Sequence, residues 1–211
     1  MPNYCSNSLE ITGPYDNLNK FWNENKCISE KEEENNYLCF NKSVPIPDDE
    51  KDNWYSWNIE NWGTKWDSCN CDISEYIKID DDLPNDSDFI NYTFDTAWSP
   101  PLKWLEFVSK KYEDLEFIIT YEEPGCDFWG KETYKEGELI TCEEKTYGQH
   151  MFDQINKSSI HEIINPMEIT KDNIEDQLEI VKEALENEDY EIYGNIDEFL
   201  EEYIMQYKNL D

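Results

Sequence analysis

The sequence predicts an α+β fold: one antiparallel sheet with helices on one face, followed by a helical extension. Three observations predict it. From Phe89 to Gly130 the chain reads strand, helix, strand and turn in succession. Just after it, Lys131–Tyr134 and Leu139–Glu143 flank Glu136-Gly137 and extend the sheet as a meander. The final third changes character and places apolar residues at helical spacing. A β-α-β crossover with a following hairpin strand belongs to the α+β class. The division expected is residues 1–149 as the sheet domain and 150–211 as an acidic helical extension.

Taken in order, Tyr4–Thr12 alternates as a first strand with Asn7, Leu9 and Ile11 on one face, and Gly13-Pro14 ends it. Leu18, Phe21 and Trp22 mark a short helix, and the acidic stretch Ser29–Asn36 a solvated loop. Tyr37–Phe40 reads as a strand broken by Pro45 and Pro47. Trp54, Tyr55, Ile59 and Trp62 fit one helical face, with Gly63 as its C-cap. Thr64–Ile73 returns as a strand carrying Trp66, Glu75–Ile79 continues it, and Asp80–Asp88 is a loop. Ile90, Tyr92 and Phe94 then share a strand face. Ser99 caps a helix with Pro100 at its first position and Leu102, Leu105, Val108 and Tyr112 along its buried stripe. Leu115, Phe117, Ile119 and Tyr121 alternate on the next strand, which Pro124-Gly125 closes. In the extension, Ile174, Leu178, Val181 and Leu185 line one helix. Phe199, Leu200, Tyr203, Ile204 and Tyr207 line a second, with Tyr190–Tyr193 extended between them.

Four segments carry a resemblance. MPNYCSNSLEITGP at the start, WGTKWD (Trp62–Asp67), FDTAWSPP (Phe94–Pro101) and YEEPGCDFWG (Tyr121–Gly130) resemble, in that order, the YubB ferredoxin-like domain family of phage and plasmid proteins. The resemblance spans roughly the first two thirds of the chain. It implies a ferredoxin-like βαββαβ topology with no iron–sulfur cluster, and no assigned activity.

Composition narrows the function. The formal charge is −33, from 17 basic against 50 acidic residues, and every basic residue other than histidine is lysine. With no arginine there is no bidentate guanidinium clamp and no arginine reader of guanine. So acidic a chain is repelled by DNA, RNA and anionic membranes, and its natural partners are basic surfaces. Solubility alone, or an AT-rich coding sequence, also accounts for such acidity. Eight Trp, fourteen Tyr and nine Phe provide a core and argue against a disordered chain. No membrane-spanning run or signal peptide is evident, so a cytoplasmic location is expected. Seven cysteines in a chain of this size are expected to be reduced thiols.

Candidate chemistry is sparse. Cys69-Asn70-Cys71 offers half a zinc site without a second pair. Asp80, Asp81, Asp82, Asp86 and Asp88 form an acidic loop lacking the glycine and terminal glutamate of a calcium loop. His150 and His161 belong to no recognisable catalytic motif. No catalytic residue, metal or cofactor is therefore expected. The expected function is a non-enzymatic acidic binding protein of a phage, virus or mobile element, occupying a basic nucleic-acid-binding surface of a host protein, with a host defence protein as one version of that partner. Asp80, Asp81, Asp82, Asp86, Asp88, Glu198, Glu201 and Glu202 would meet that partner. One alternative is an assembly or regulatory module using Trp98 and Trp129, which sit beside Pro and Gly and are expected to be exposed. Another is a small-ligand site or enzyme near Trp62, Trp66 and Trp98.

Overall fold

The computed structural model describes residues 3–27, 37–73, 88–163 and 173–187, together with 199–201, 203 and 205. Two compact units divide the chain, Met1–Lys145 and Thr146–Asp211. In the first, six strands form one sheet: β1 (Tyr4–Thr12), β2 (Cys69–Ile73), β3 (Phe89–Ala97), β4 (Glu116–Glu123), β5 (Phe128–Lys135) and β6 (Glu138–Lys145). Their order is β2-β3-β1-β4-β5-β6, and every pair is antiparallel. Helices α1 (Tyr15–Asn25), α2 (Phe40–Ser43) and α3 (Trp54–Asn61) connect β1 to β2, and α4 (Leu102–Lys111) connects β3 to β4. The first four strands thus have the ferredoxin-like order with two split β-α-β connections, and β5–β6 extend the sheet as a meander. The α+β, ferredoxin-like expectation holds.

Alternation on the strands explains the layering. Cys5, Leu9 and Ile11 on β1, Ile90, Tyr92 and Phe94 on β3, and Phe117, Ile119 and Tyr121 on β4 are buried in one core with Leu18, Phe21 and Trp22 of α1 and Trp104, Leu105 and Val108 of α4. Phe21 meets Tyr92, Trp104, Tyr112 and Phe117 edge-on, with centroids 5.1–6.5 Å apart. At the β5–β6 hairpin, Glu136 and Gly137 both have positive φ, 54° and 82°. That is the turn geometry which fits the twist of a two-residue hairpin.

Local readings fail where side chains compete with regular structure. Tyr37–Phe40 is not a strand. The Asp67 carboxylate accepts the Phe40 and Asn41 amides at 2.6 and 3.1 Å and starts α2 there instead. Residues 64–68 precede β2 without joining it, because Thr64 donates to the Ala97 carbonyl and Asn58 to that of Lys65. The stripe expected on α3 is turned outward: Trp54, Tyr55 and Ile59 are exposed, while Asn58 and Trp62 are buried. Gly63 does follow α3 at φ 85°, and a Cβ there would press on the first amides of α4. Ser99 does not cap α4. Its hydroxyl donates to the Gly63 carbonyl at 2.7 Å, and the helix begins two residues after Pro100. Cys27 and Cys39 are joined as a disulfide with Cα atoms 6.2 Å apart, so the expectation of reduced thiols throughout fails for this pair. The Cys39 amide, donating to the Asn25 carbonyl, brings the two cysteines together at the end of α1. Cys5, Cys69, Cys71, Cys126 and Cys142 are free.

The second unit holds α5 (Tyr147–Ile163), α6 (Ile174–Asn187) and further helical residues at 199–201, 203 and 205. Ile160, Ile174, Leu178, Val181, Phe199, Leu200 and Tyr203 form its core, following the helical spacing of the sequence. Ser29–Asn36, Glu75–Ile79 and Tyr190–Tyr193 lie outside the described residues, as do Ile204 and Tyr207. No helix among the described residues is long and apolar enough to cross a membrane.

Candidate functional site

The four recurring segments come together at one end of the sheet. Register sets Tyr4 opposite Ala97 and Ser6 between Asp95 and Glu122. The Trp98 amide donates to the Asn3 carbonyl at 3.1 Å, tying the first segment to the third. Thr64 and Ser99 exchange hydrogen bonds between the second and third, to the carbonyls of Ala97 and Gly63. Buried Asn7 donates from its amide to the Cys5 carbonyl at 2.9 Å and to the Thr96 hydroxyl at 2.9 Å, and the Thr96 hydroxyl donates in turn to the Ser99 carbonyl. In the fourth segment, the carboxylate of Glu123, only 3% exposed, accepts the amides of Gly125 and Cys126 and so closes the β4–β5 turn. A Cβ on Gly125 would come within 2.7 Å of the Asn3 side-chain nitrogen, so that turn packs directly on the first segment.

Two consequences follow for chemistry. Trp98 is held at φ +74°, a region a bulky residue adopts only when its surroundings impose it, and the residue is 44% exposed. The exposed Cys126 thiol is raised in pKa by its hydrogen bond to Glu123, which makes it a weaker nucleophile than a free cysteine.

On the face of the sheet opposite the helices, the three central strands carry small polar and acidic side chains. Ser6 and Ser8 of β1 line a shallow cavity of about 430 Å³ with Thr93 and Asp95 of β3 and Thr120 and Glu122 of β4. Asp95 accepts from the Ser6 hydroxyl at 3.2 Å and from the Asn70 amide at 2.9 Å. The Glu122 carboxylate has no hydrogen-bond partner among the described residues. Small hydroxyls stand where a nucleic-acid-binding sheet of this topology would carry stacking rings.

A third cluster lies on the helix side of β5 and β6. Glu132, 3% exposed, accepts the hydroxyls of Tyr121, at 2.8 Å, and Tyr134. Both tyrosines are pushed well up in pKa, first by burial and then by that carboxylate. Gly130 makes room for the Tyr121 ring, which a Cβ would strike. Glu132, Cys142 and Glu144 bring possible metal ligands within 4.8 Å of one another. A cation there would have to share Glu132 with the two tyrosine hydroxyls already donating to it. The only sequence signal for this cluster is a glutamate at an inward-facing strand position.

The expected site residues separate. Asp80, Asp81, Asp82, Asp86, Glu198 and Glu202 lie outside the described residues. Asp88 and Glu201 are exposed, and the Asp88 carbonyl accepts the Gly13 amide. Trp98 is exposed as expected. Trp129 is not: it lies within β5 between Glu122 and Lys145 on the neighbouring strands, on the face that carries Ser6, and is 8% exposed. Trp62 and Trp104 serve the core, their indoles donating to the Val44 carbonyl and the Ser43 hydroxyl. The pair Cys69 and Cys71 acquires no further metal-ligating side chain among the described residues.

Residues 74–165 match the family model described as a ferredoxin-like domain in Api92-like protein. The crystal structure of protein api92 from Yersinia pseudotuberculosis superposes with a TM-score of 0.48 at 10% identity, covering 70% of this chain and 99% of that one. No curated protein matches the chain.

Proposed function

We propose that this protein is a non-enzymatic acidic binding protein, encoded by a phage, virus or other mobile element, that occupies a basic nucleic-acid-binding surface of a host protein. One observation carries the reading: in a chain of net charge −33, the central strands β3, β1 and β4 turn Asp95, Ser6, Glu122, Thr93, Ser8 and Thr120 to the face opposite the helices, with no basic residue lining the cavity there. Such a face suits a cationic partner and disfavours phosphate. Resemblance of four segments to phage and plasmid proteins supports the origin. The negative field steers association and weakens as salt screens it. The test is capture from host lysate on the immobilised chain. Retention of nucleic-acid-binding proteins that raised salt and added duplex DNA both release is expected. Retention that neither affects would overturn the proposal.

A second reading rests on Trp98. An exposed indole on an imposed backbone is a natural anchor for a protein interface. Under that reading Trp98→Ala abolishes capture while salt leaves it intact.

A further inference from the structure

We propose that the cavity over Ser6 and Ser8 is a receptor for a guanidinium group, and that its occupant is an arginine side chain from a basic segment of the partner. The inference rests on the reading of a basic partner and names where and how that partner is held.

The register builds the receptor. Ser6 is the central member of a row, with Asp95 opposite on β3 and Glu122 opposite on β4. Strands lie roughly 4.8 Å apart, so the two carboxylate-bearing residues start about 10 Å from each other with the Ser6 hydroxyl between them. The next row inward on the same face is Thr93, Ser8 and Thr120. The floor is therefore built of short side chains with acceptor oxygens, flanked by two anions. No basic residue lines it. By register the outer neighbours are Trp129 opposite Glu122, followed by Lys145, and Lys131 opposite Thr120, followed by Glu143.

The two carboxylates differ usefully. Asp95 is oriented by the Ser6 hydroxyl and by Asn70, which takes φ +51° on β2 and aims its amide across the strand pair. A carboxylate has about four lone-pair sites, so Asp95 retains acceptor capacity after both bonds. Glu122 lines the cavity and has no hydrogen-bond partner among the described residues. A guanidinium has five donors in one plane, and acceptors on both sides of a shallow floor match that plane better than a compact ammonium with three. The occupant is thus identified by charge complementarity and by acceptor number together.

The probes are fluorescent nonamers of arginine and of lysine, titrated into the full chain at moderate salt. The variants are D95N/E122Q, which neutralises the receptor, and E138Q/E143Q, which removes the same charge from exposed positions on β6. The arginine peptide is expected to bind about tenfold more weakly to D95N/E122Q and within about twofold of the parent to E138Q/E143Q. The lysine peptide is expected to lose about as little from either pair. Equal losses in the two variants would show attraction to the general field alone and overturn the receptor. An equal loss of the lysine peptide in D95N/E122Q would overturn its assignment to arginine. Thermal unfolding of each variant checks that the fold is intact. If the receptor fails while captured host proteins are still released by salt and DNA, the proposed function stands with the partner held elsewhere. If capture fails while the peptide result holds, the receptor stands without that function.

Discussion

The two faces of the sheet use the same strands for opposite ends. On one, Leu9, Ile11, Ile90, Tyr92, Phe117 and Ile119 are sealed beneath α1 and α4. On the other, residues one step along the same strands, Ser6, Ser8, Thr93 and Thr120, are small, polar and open. Period-two alternation makes this separation possible, since neighbouring residues never share a face. The covered face holds the fold together, and the open face can change its chemistry without disturbing it.

Substitutions can break that division or sharpen it. The largest effect is expected from Phe117→Ala, a fully buried ring packed on Phe21, which should lose about 3–5 kcal/mol of stability in denaturant titration. Ser8→Ala, on the same sheet but the other face, should change stability by less than about 0.5 kcal/mol. Comparable losses from both would show that the open face is covered in solution.

Asn7→Ala should fall between them. Its amide lies on the covered face and supplies the Cys5 and Phe94 carbonyls and the Thr96 hydroxyl, so removal strands buried acceptors at a cost of about 1–3 kcal/mol. Because Thr96 and its neighbours hold the Trp98 turn, Trp98 emission should also shift in this variant. Lost stability with unchanged fluorescence would separate the network from the turn.

A further small effect concerns pH at Glu24 of α1. The Tyr112 hydroxyl, then Lys111, hold the Glu24 carboxyl below its usual range. A carboxyl lowered in the folded state stabilises it above the unfolded value near pH 4.3, and the contribution disappears as pH falls through the folded value. Glu24→Gln should therefore lower Tm slightly at pH 7, by less than about 1 kcal/mol of stability, and not at all at the most acid pH. A difference that grows as pH falls would contradict the assigned sign.

Much of the covered face was legible in the residues themselves. Ile90, Tyr92 and Phe94, and Leu115 through Tyr121, alternate so regularly that one strand face can only be apolar, and Glu136-Gly137 names its own hairpin. Around residues 37–68 the same reasoning failed. Asp67 reaches back across the chain to start α2, and Thr64 and Asn58 spend their hydrogen bonds on distant carbonyls, so local propensity lost to contacts made far along the sequence. The outward turn of Trp54, Tyr55 and Ile59 has the same character, since only the neighbours of a short helix decide which side is buried.

Read without coordinates, the chain already specified its α+β class, its apolar strand faces and its acidity, because periodicity and charge are properties of neighbouring residues and of their sum. Tertiary structure alone decided that Trp129 is buried, that Glu123 and Glu132 lie among hydrogen-bond donors, and that Ser6 stands between Asp95 and Glu122. Those facts depend on register between strands that lie 89 and 116 residues apart in numbering, measured from Ser6 to Asp95 (95 − 6) and to Glu122 (122 − 6). No local pattern carries that information, because pairing is set by burying all the apolar faces at once.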